Sequence, residues 1–210
     1  LQRLTIDAYD TQGDGNELEL PPSLTACTQL SQVFIHDTLD CRVLADVKSL
    51  RHLQVGLWPN PSSLAMHWLS LTRLTELELF LISELEIPSR LAGMTSLRKL
   101  TLSGGQTDTI PTGPYLNALV SMHIQYCSIP SGLPLVLAAA KQLQHLEYLN
   151  NDITDFKNGT FFAILNLLPA LMTVEMSNSY DIECGLEISL SQFNSVCVAE
   201  GRRPPVITYV

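Results

Sequence analysis

Basic residues are scarce in this sequence. Its 210 residues include 12 Lys and Arg against 21 Asp and Glu, which gives a formal net charge of −9. Such a chain repels a polyanion unless a local basic stripe compensates, and the densest basic stretch is only "GRRPP" at Gly201–Pro205. The composition therefore predicts that the chain binds neither nucleic acid nor anionic membranes.

Long apolar runs are missing as well. The longest, "GLPLVLAAA" and "FFAILNLLPALM", are too short or too interrupted to span a bilayer, which takes about 20 residues. The first ten residues, "LQRLTIDAYD", lack the charged region followed by an apolar region that marks a signal peptide. We therefore expect no membrane insertion.

Cysteines with metal-binding or redox spacing are also absent. The five cysteines, Cys27, Cys41, Cys127, Cys184 and Cys197, are scattered and form no CxxC pair. Their odd number favours free thiols in a reducing compartment, and hence a cytoplasmic location. The glycosylation acceptor pattern "NGT" at Asn158 points the other way and leaves an extracellular location open.

Catalytic motifs are absent in the same way. The chain has no GxSxG elbow, no Walker-type phosphate loop, no GxGxxG and no HExxH. "HLE" at His145 resembles the H-x-E of zinc deaminases but lacks the paired-cysteine partner motif. The sequence thus predicts no enzymatic activity, no cofactor and no resident metal.

Leucine, by contrast, is abundant and regularly spaced. The chain has 37 leucines, and eight segments repeat one aliphatic pattern at intervals of 29, 20, 24, 23, 22, 24 and 28 residues. The eight segments are "LQRLTI" from Leu1, "LSQVFI" from Leu30, "LRHLQV" from Leu50, "LTELEL" from Leu74, "LRKLTL" from Leu97, "LVSMHI" from Leu119, "LQHLEY" from Leu143 and "LMTVEM" from Leu171. A period of this length indicates a repeat architecture.

The pattern resembles that of the leucine-rich repeat family, L-x-x-L-x-L-x-x-N/C-x-L over about 20–29 residues. The segment from Leu143, "LQHLEYLNNDI", places Asn151 in the asparagine position, and "LVSMHIQYCSI" from Leu119 places Cys127 there. The resemblance covers essentially the whole chain and implies that these two side chains bond to turn backbone. We expect irregular repeats, because the other six depart at this position and carry Tyr9, Thr38, Trp58, Ile82, Gly105 and Ser179.

The fold class predicted is an α/β leucine-rich repeat solenoid, a right-handed horseshoe. In each x-x-L-x-L segment, two-residue alternation makes a short strand whose fourth and sixth places point inward and whose third, fifth and seventh point outward. Stacked parallel strands then line the concave face, and the return segments form the convex face. Helical returns are predicted at 62–71, 133–143 and 159–171, and 3₁₀ or irregular returns elsewhere.

We expect the repeats to fill residues 1–181 and residues 182–210 to cap the last repeat. The cap is predicted as a helix with Leu190, Phe193 and either Val196 or Cys197 on one face, ended by Gly201 and followed by a strand "VITYV". Because the chain begins on the first leucine of a repeat, we also expect a longer parent protein upstream.

Three columns of outward side chains define the candidate site on the concave face. The third places hold Arg3, Gln32, His52, Glu76, Lys99, Ser121, His145 and Thr173; the fifth places hold Thr5, Phe34, Gln54, Glu78, Thr101, His123, Glu147 and Glu175; the seventh places hold Asp7, His36, Gly56, Phe80, Ser103, Gln125, Leu149 and Ser177. Four of the five histidines fall in these 24 positions. The candidate partner-binding residues are Phe34, His36, His52, Glu76, Glu78, Phe80, His123, His145, Glu147 and Glu175.

Histidine–carboxylate neighbours leave three interpretations open. Strands lie about 4.8 Å apart, so Asp7 with His36, His52 with Glu76 and His123 with Glu147 should be lateral neighbours. They could be ordinary ladder contacts, a surface whose charge changes between about pH 5 and 8 because a carboxylate raises a histidine pKa, or, for His123, His145 and Glu147, a metal site.

The function predicted is a non-catalytic module that binds a protein through its concave face. Phe34 and Phe80 would anchor the partner unless loops cover them, and the glutamates favour a basic partner. The alternatives are a structural subunit of a larger assembly, or, as the resemblance implies, the recognition part of a ubiquitin ligase or receptor.

Overall fold

Nine parallel strands form the main sheet of the protein. The computed structural model describes residues 1–6, 18–35, 39–40, 42–57, 71–81, 87, 89–105, 110–129, 133–151, 160–177 and 186–209. The strands of this sheet follow one another in chain order: β1 (Arg3–Ile6), β3 (Gln32–Ile35), β5 (His52–Leu57), β6 (Glu76–Leu81), β7 (Lys99–Ser103), β8 (Ser121–Gln125), β9 (His145–Leu149), β10 (Thr173–Met176) and β11 (Val206–Tyr209).

The predicted solenoid is confirmed by the register of this sheet. Each of the eight predicted repeat segments supplies one strand, and the pairing aligns equivalent places, such as Leu77 with Leu100 and Leu100 with Met122. The predicted strand "VITYV" adds a ninth, β11, parallel to β10. A second, small sheet that the sequence did not predict pairs β2 (Leu18–Glu19) with β4 (Leu39–Asp40).

Alternation along each strand builds the core. In β6, Leu77 and Leu79 are fully buried while the Glu76 and Glu78 side chains point to the opposite face. The inward leucines of successive strands join into one continuous hydrophobic cluster with residues of the returns, such as Leu91 and Leu137. One repeat could not bury its apolar edge alone, so the repeats stabilise one another by stacking.

Most described returns are short 3₁₀ helices. They span Pro22–Ala26, Arg42–Asp46, Ser89–Gly93, Pro114–Ala118 and Leu135–Ala139. The helix predicted at 133–143 is therefore a five-residue 3₁₀ helix. Pro134 precedes it in extended backbone and the Ala140 N–H bonds to Leu137 O, and a 3₁₀ helix covers about 2.0 Å per residue where an α-helix covers about 1.5 Å.

The other two helical predictions differ in outcome. The return predicted at 159–171 does contain an α-helix, α1 (Thr160–Asn166). The return predicted at 62–71 lies almost entirely outside the described residues, as do the Asn158 pattern, Cys41 and Cys184. Within the described part of the chain, no helix has both the length and the apolarity needed to cross a membrane.

The C-terminal helix α2 (Leu186–Ala199) packs beside α1. Phe193 and Cys197 are buried, whereas Val196 is 39% exposed. Of the two residues predicted for the apolar face of this helix, Cys197 and not Val196 therefore lies on it. The Phe162 and Phe193 ring centroids lie 5.6 Å apart. Gly201 follows the helix with φ of +69°, a left-handed conformation typical of a glycine that ends a helix.

Asn151 and Cys127 bond to turn backbone, as the family resemblance implied. Asn151 is fully buried; its Oδ1 accepts from the Cys127 N–H at 2.9 Å and its Nδ2 donates to Ile124 O at 2.9 Å. The Cys127 thiol lies 3.1 Å from Gly104 O and 3.2 Å from Gln125 O. The two side chains thus tie three successive repeats together at the ends of their strands.

Candidate partner-binding face

The outward side chains of the main sheet form one surface, here called the open face: the third, fifth and seventh places of the strands, opposite the returns. The register aligns the third-place column from Arg3 to Thr173 and the fifth-place column from Thr5 to Glu175 without a break. Nine of the ten candidate residues lie on this face. His36 lies outside the described residues, as does its predicted neighbour Asp7.

His52 contacts two glutamates of β6. Its Nδ1 lies 3.5 Å from Glu76 Oε2, the predicted pair, and its Nε2 lies 3.4 Å from Glu78 Oε1, which the sequence did not predict. Nε2 is buried, and its contact with Glu78 is an ion-pair distance without an aligned hydrogen bond. The polar interaction with His52 lowers the pKa of Glu78 below its ordinary value of 4.5, although burial of the carboxyl opposes this.

Phe34 is less available to a partner than its outward register suggested. The Arg3 guanidinium carbon lies 4.2 Å from the Phe34 ring centroid, and the His52 ring centroid lies 5.0 Å from it on the neighbouring strand. The ring is therefore half-buried between side chains of its own face. Phe80, by contrast, is 38% exposed and is the open aromatic ring of this surface.

His123 hydrogen-bonds on both ring nitrogens. Nδ1 lies 2.7 Å from Glu147 Oε2, as predicted, and Nε2 lies 3.0 Å from Ser121 Oγ. Burial lowers the pKa of His123 below its ordinary value of 6.5, with nearby Lys99 acting in the same direction and the charges of Glu78 and Glu175 against it. A neutral imidazole then donates Nδ1–H to Glu147 and accepts the Ser121 hydroxyl proton.

The expectation that a carboxylate raises the pKa of this histidine is therefore wrong for His123. Removal from water outweighs the charges of Glu78 and Glu175, because the ring is half-buried in the sheet surface. His145 lies at the exposed end of the same cluster, where its Nδ1 is 2.8 Å from Thr173 Oγ1.

The metal interpretation gains no support from this geometry. Both ring nitrogens of His123 already have protein partners, and the His145 Nδ1 faces a hydroxyl group. Over the residues that the structure describes, no three His, Cys, Asp or Glu side chains are grouped closely enough to hold an ion.

Ser121, His123 and Glu147 stand in the order of a nucleophile, a base and an acid. Acyl transfer also needs N–H donors aimed at the developing oxyanion. Here the strand amides lie in the plane of the sheet: the Ser121 N–H donates to Arg98 O at 3.0 Å, and β8 pairs with β7 and β9 on its two sides. The Ser121 N–H is therefore committed to sheet pairing, and the three side chains form a hydrogen-bond chain, here called the ladder, from Ser121 through His123 on β8 to Glu147 on β9.

Acidic charge dominates the described part of the open face. Its four carboxylates are Glu76, Glu78, Glu147 and Glu175, and its two permanent cations are Arg3 and Lys99, which leaves a net charge of −2 (2 − 4) with neutral histidines. The charge is concentrated between β6 and β10, so a partner lying there would meet a negative potential.

Tyr126 is an exposed residue that the sequence reasoning missed. It follows β8 with 64% of its surface exposed and a φ of +54°, which is unusual for a bulky residue. The equivalent places after β7 and β9 hold Gly104 and Asn150, which tolerate positive φ. A tyrosine aligned with Gly and Asn in adjacent repeats was the available signal.

Comparison with known proteins identifies the fold. No protein-family model and no curated protein matches the chain. A leucine-rich repeat protein of Leptospira interrogans superposes with a TM-score of 0.59 at 19% identity, covering 92% of this chain and 47% of that one. FLRT2, a leucine-rich repeat protein solved with Latrophilin 3 and Unc5D, gives 0.58 at 15%, covering 92% of this chain and 66% of that one.

TLR13, solved in complex with a single-stranded RNA, gives a TM-score of 0.53 at 19% identity, covering 79% of this chain and 25% of that one. The chain thus spans about half the length of the Leptospira protein and a quarter of that of TLR13. At these identities the likeness extends to the fold. The RNA complex shows that the fold itself does not exclude nucleic acid.

Proposed function

We propose that this leucine-rich repeat chain is a non-catalytic module that binds a protein partner through its open face. The observation that carries the proposal is the centre of that face: Phe80 is 38% exposed, on the same strand as Glu76 and Glu78, and in lateral register with Ser103. An exposed aromatic ring among small and charged neighbours is typical of an interface anchor.

The partner favoured is a basic protein segment. The four glutamates would attract cationic side chains, and the net charge of −9 would repel a phosphate backbone. The contacts would involve Glu76, Glu78, Phe80, His123, His145, Glu147 and Glu175, with His52 and Phe34 at one margin. TLR13 has a similar fold and was solved with RNA, so the fold does not favour a protein partner over RNA. Our preference for a protein partner rests on the negative charge of this chain.

Site-specific photocrosslinking tests the choice of face. A photoreactive phenylalanine analogue at position 80 should capture a partner in the cells that express the protein. The same analogue at Leu135, which is 71% exposed on a return, should not. Because both positions are exposed, a difference in capture shows which face binds the partner and does not merely reflect which position is accessible.

Substitutions then test the residues. Once a partner is captured, Phe80→Ala and Glu78→Lys should weaken its binding about tenfold or more, and Leu135→Ser should leave it unchanged. The proposal fails if the open-face variants bind normally while the return variant does not.

A structural subunit of a larger assembly is the second candidate. Large apolar side chains are exposed away from the open face, including Leu135 at 71% and Val198 at 67%. The isolated chain would then self-associate, whereas a free recognition module would sediment as a monomer in analytical ultracentrifugation. We also propose residues 1–181 as the repeat domain and 182–210 as its cap, because α2 and β11 add a helix and a strand beside the last repeat.

A further inference from the structure

A cavity lies at the C-terminal end of the solenoid, where it reaches the open face at Thr173, the last third-place residue, four strands away from Phe80 on β6. Its volume is about 410 Å³, and it lies between the turn at 169–173 and the segment that leads into β11. Met172 and Val206 line it and are each 57% exposed. Apolar side chains of this size at the mouth of a cavity are suited to receive an apolar side chain of another molecule.

The charge beside this cavity is opposite to that of the whole chain. Arg202 and Arg203 line it, and Lys141 is close by, with its Nζ donating to Leu167 O at 2.9 Å. Arg202 donates to Asn166 O at 3.1 Å and forms an ion pair with Glu200 at 2.6 Å. Arg202 and Lys141 thus both donate to backbone carbonyls at the C-terminal end of α1. Among the described residues, the two lining arginines against Glu200 leave a local charge of +1 (2 − 1), and the Arg203 side chain is exposed without an ion pair.

The backbone next to the cavity also offers hydrogen bonds. β11 is the last strand of the described sheet, with β10 on one side. The Val206 N–H donates to Met172 O at 2.8 Å, so by alternation the N–H and C=O of Ile207 point to the other side, away from β10. Such an edge accepts an added strand from another chain.

We propose that this end of the solenoid binds an extended acidic peptide segment of a second protein. An apolar side chain of the peptide occupies the cavity against Met172 and Val206, a neighbouring carboxylate pairs with Arg203, and its main chain runs beside β11. The basic "GRRPP" stretch, the densest in the sequence, thereby gains a role that the open face does not give it.

Fluorescence anisotropy with a defined probe tests this proposal. The probe is a labelled ten-residue peptide in which Leu and Phe alternate with Glu and Asp, and its control carries Lys at every acidic place. The full 210-residue chain should bind the acidic peptide at least about tenfold more tightly than the basic one, and added salt should reduce the difference.

Matched arginine variants identify the site. Arg203→Glu should weaken binding of the acidic peptide about tenfold or more, whereas Arg90→Glu, which changes an exposed arginine of a distant return, should not. Met172→Ser should weaken it as well, and Phe80→Ala should leave it unchanged, which separates this site from the open face. Unfolding transitions of all four variants should match that of the parent chain.

The proposal is overturned by equal binding of the two peptides, by absence of acidic-peptide binding at millimolar concentration, or by full retention of binding in Arg203→Glu. The result for the open face is independent of each of these outcomes.

Discussion

Replacing Asn151 by Ala should destabilise the protein strongly, although the residue belongs to neither proposed binding site. Its side chain is fully buried and makes two hydrogen bonds to backbone of the preceding repeat, to the Cys127 N–H and to Ile124 O. Alanine removes both of these hydrogen bonds.

The size of this loss depends on which hydrogen-bond partners the Ile124 carbonyl and the Cys127 N–H keep once the Asn151 side chain is gone. The Ser121 N–H bonds toward the β7 side, so by alternation the Ile124 carbonyl faces β9, where sheet pairing supplies a second donor. Its loss therefore costs about 0.5–1.5 kcal/mol, the net contribution of one hydrogen bond. The Cys127 N–H is left buried and unpaired, which costs about 1–3 kcal/mol. We expect about 1.5–4.5 kcal/mol in total, a large share of the stability of about 5–15 kcal/mol that a domain has.

Urea denaturation followed by circular dichroism measures this loss. The control is Asn117→Ala, which removes the same side chain from an exposed position in the 3₁₀ helix Pro114–Ala118 and should change the free energy of unfolding by less than about 0.5 kcal/mol. A loss below about 1 kcal/mol for Asn151→Ala would refute the reasoning, because it would mean that the turn finds other partners at little cost.

Four further predictions follow from buried or bonded side chains. Tyr148→Phe should raise the free energy of unfolding by up to about 1 kcal/mol in urea denaturation, because the buried Tyr148 hydroxyl has no hydrogen-bond partner among the residues that the structure describes; a loss of stability would contradict this. Cys127→Ser should lower the melting temperature less than Cys127→Ala, because a hydroxyl can still donate to the carbonyls of Gly104 or Gln125. The native pKa of His123 is lower than its ordinary value of 6.5, so as the pH falls the unfolded chain should bind a proton at His123 before the native chain does. The free energy of unfolding should therefore decline from pH 6.5 down to the native pKa, and it should decline less in His123→Gln. Thermal melts at a series of pH values between about 4.5 and about 7.5 measure this difference. Purified protein should hydrolyse p-nitrophenyl acetate no faster than its Ser121→Ala variant, and a clear difference in rate would show that the ladder of Ser121, His123 and Glu147 is a catalytic site.

The architecture could be predicted because it rests on spacing alone. The inward places of β6, Leu77 and Leu79, are buried because a strand alternates, and the leucines of its neighbours are buried for the same reason. Asn151 was predictable as well, since its position in the repeat is where the backbone leaves the strand and needs a partner. The return at Leu135–Ala139 was not, because apolar residues at three- and four-residue steps fit a 3₁₀ and an α-helix about equally well over five residues.

The open face shows where such reasoning stops. Spacing decides the direction in which a side chain leaves the sheet, but exposure depends on how the longer neighbours fold over it. Thr101 points outward and is nonetheless only 7% exposed, because it lies in register between Glu78 and His123, whose longer side chains rise on either side. The same burial lowers the pKa of His123 despite its contact with a carboxylate. On a sheet of mixed long and short side chains, the pKa and the exposure of each group depend on its neighbours on its own strand and on the two adjacent strands. The sequence of a single strand does not contain this information.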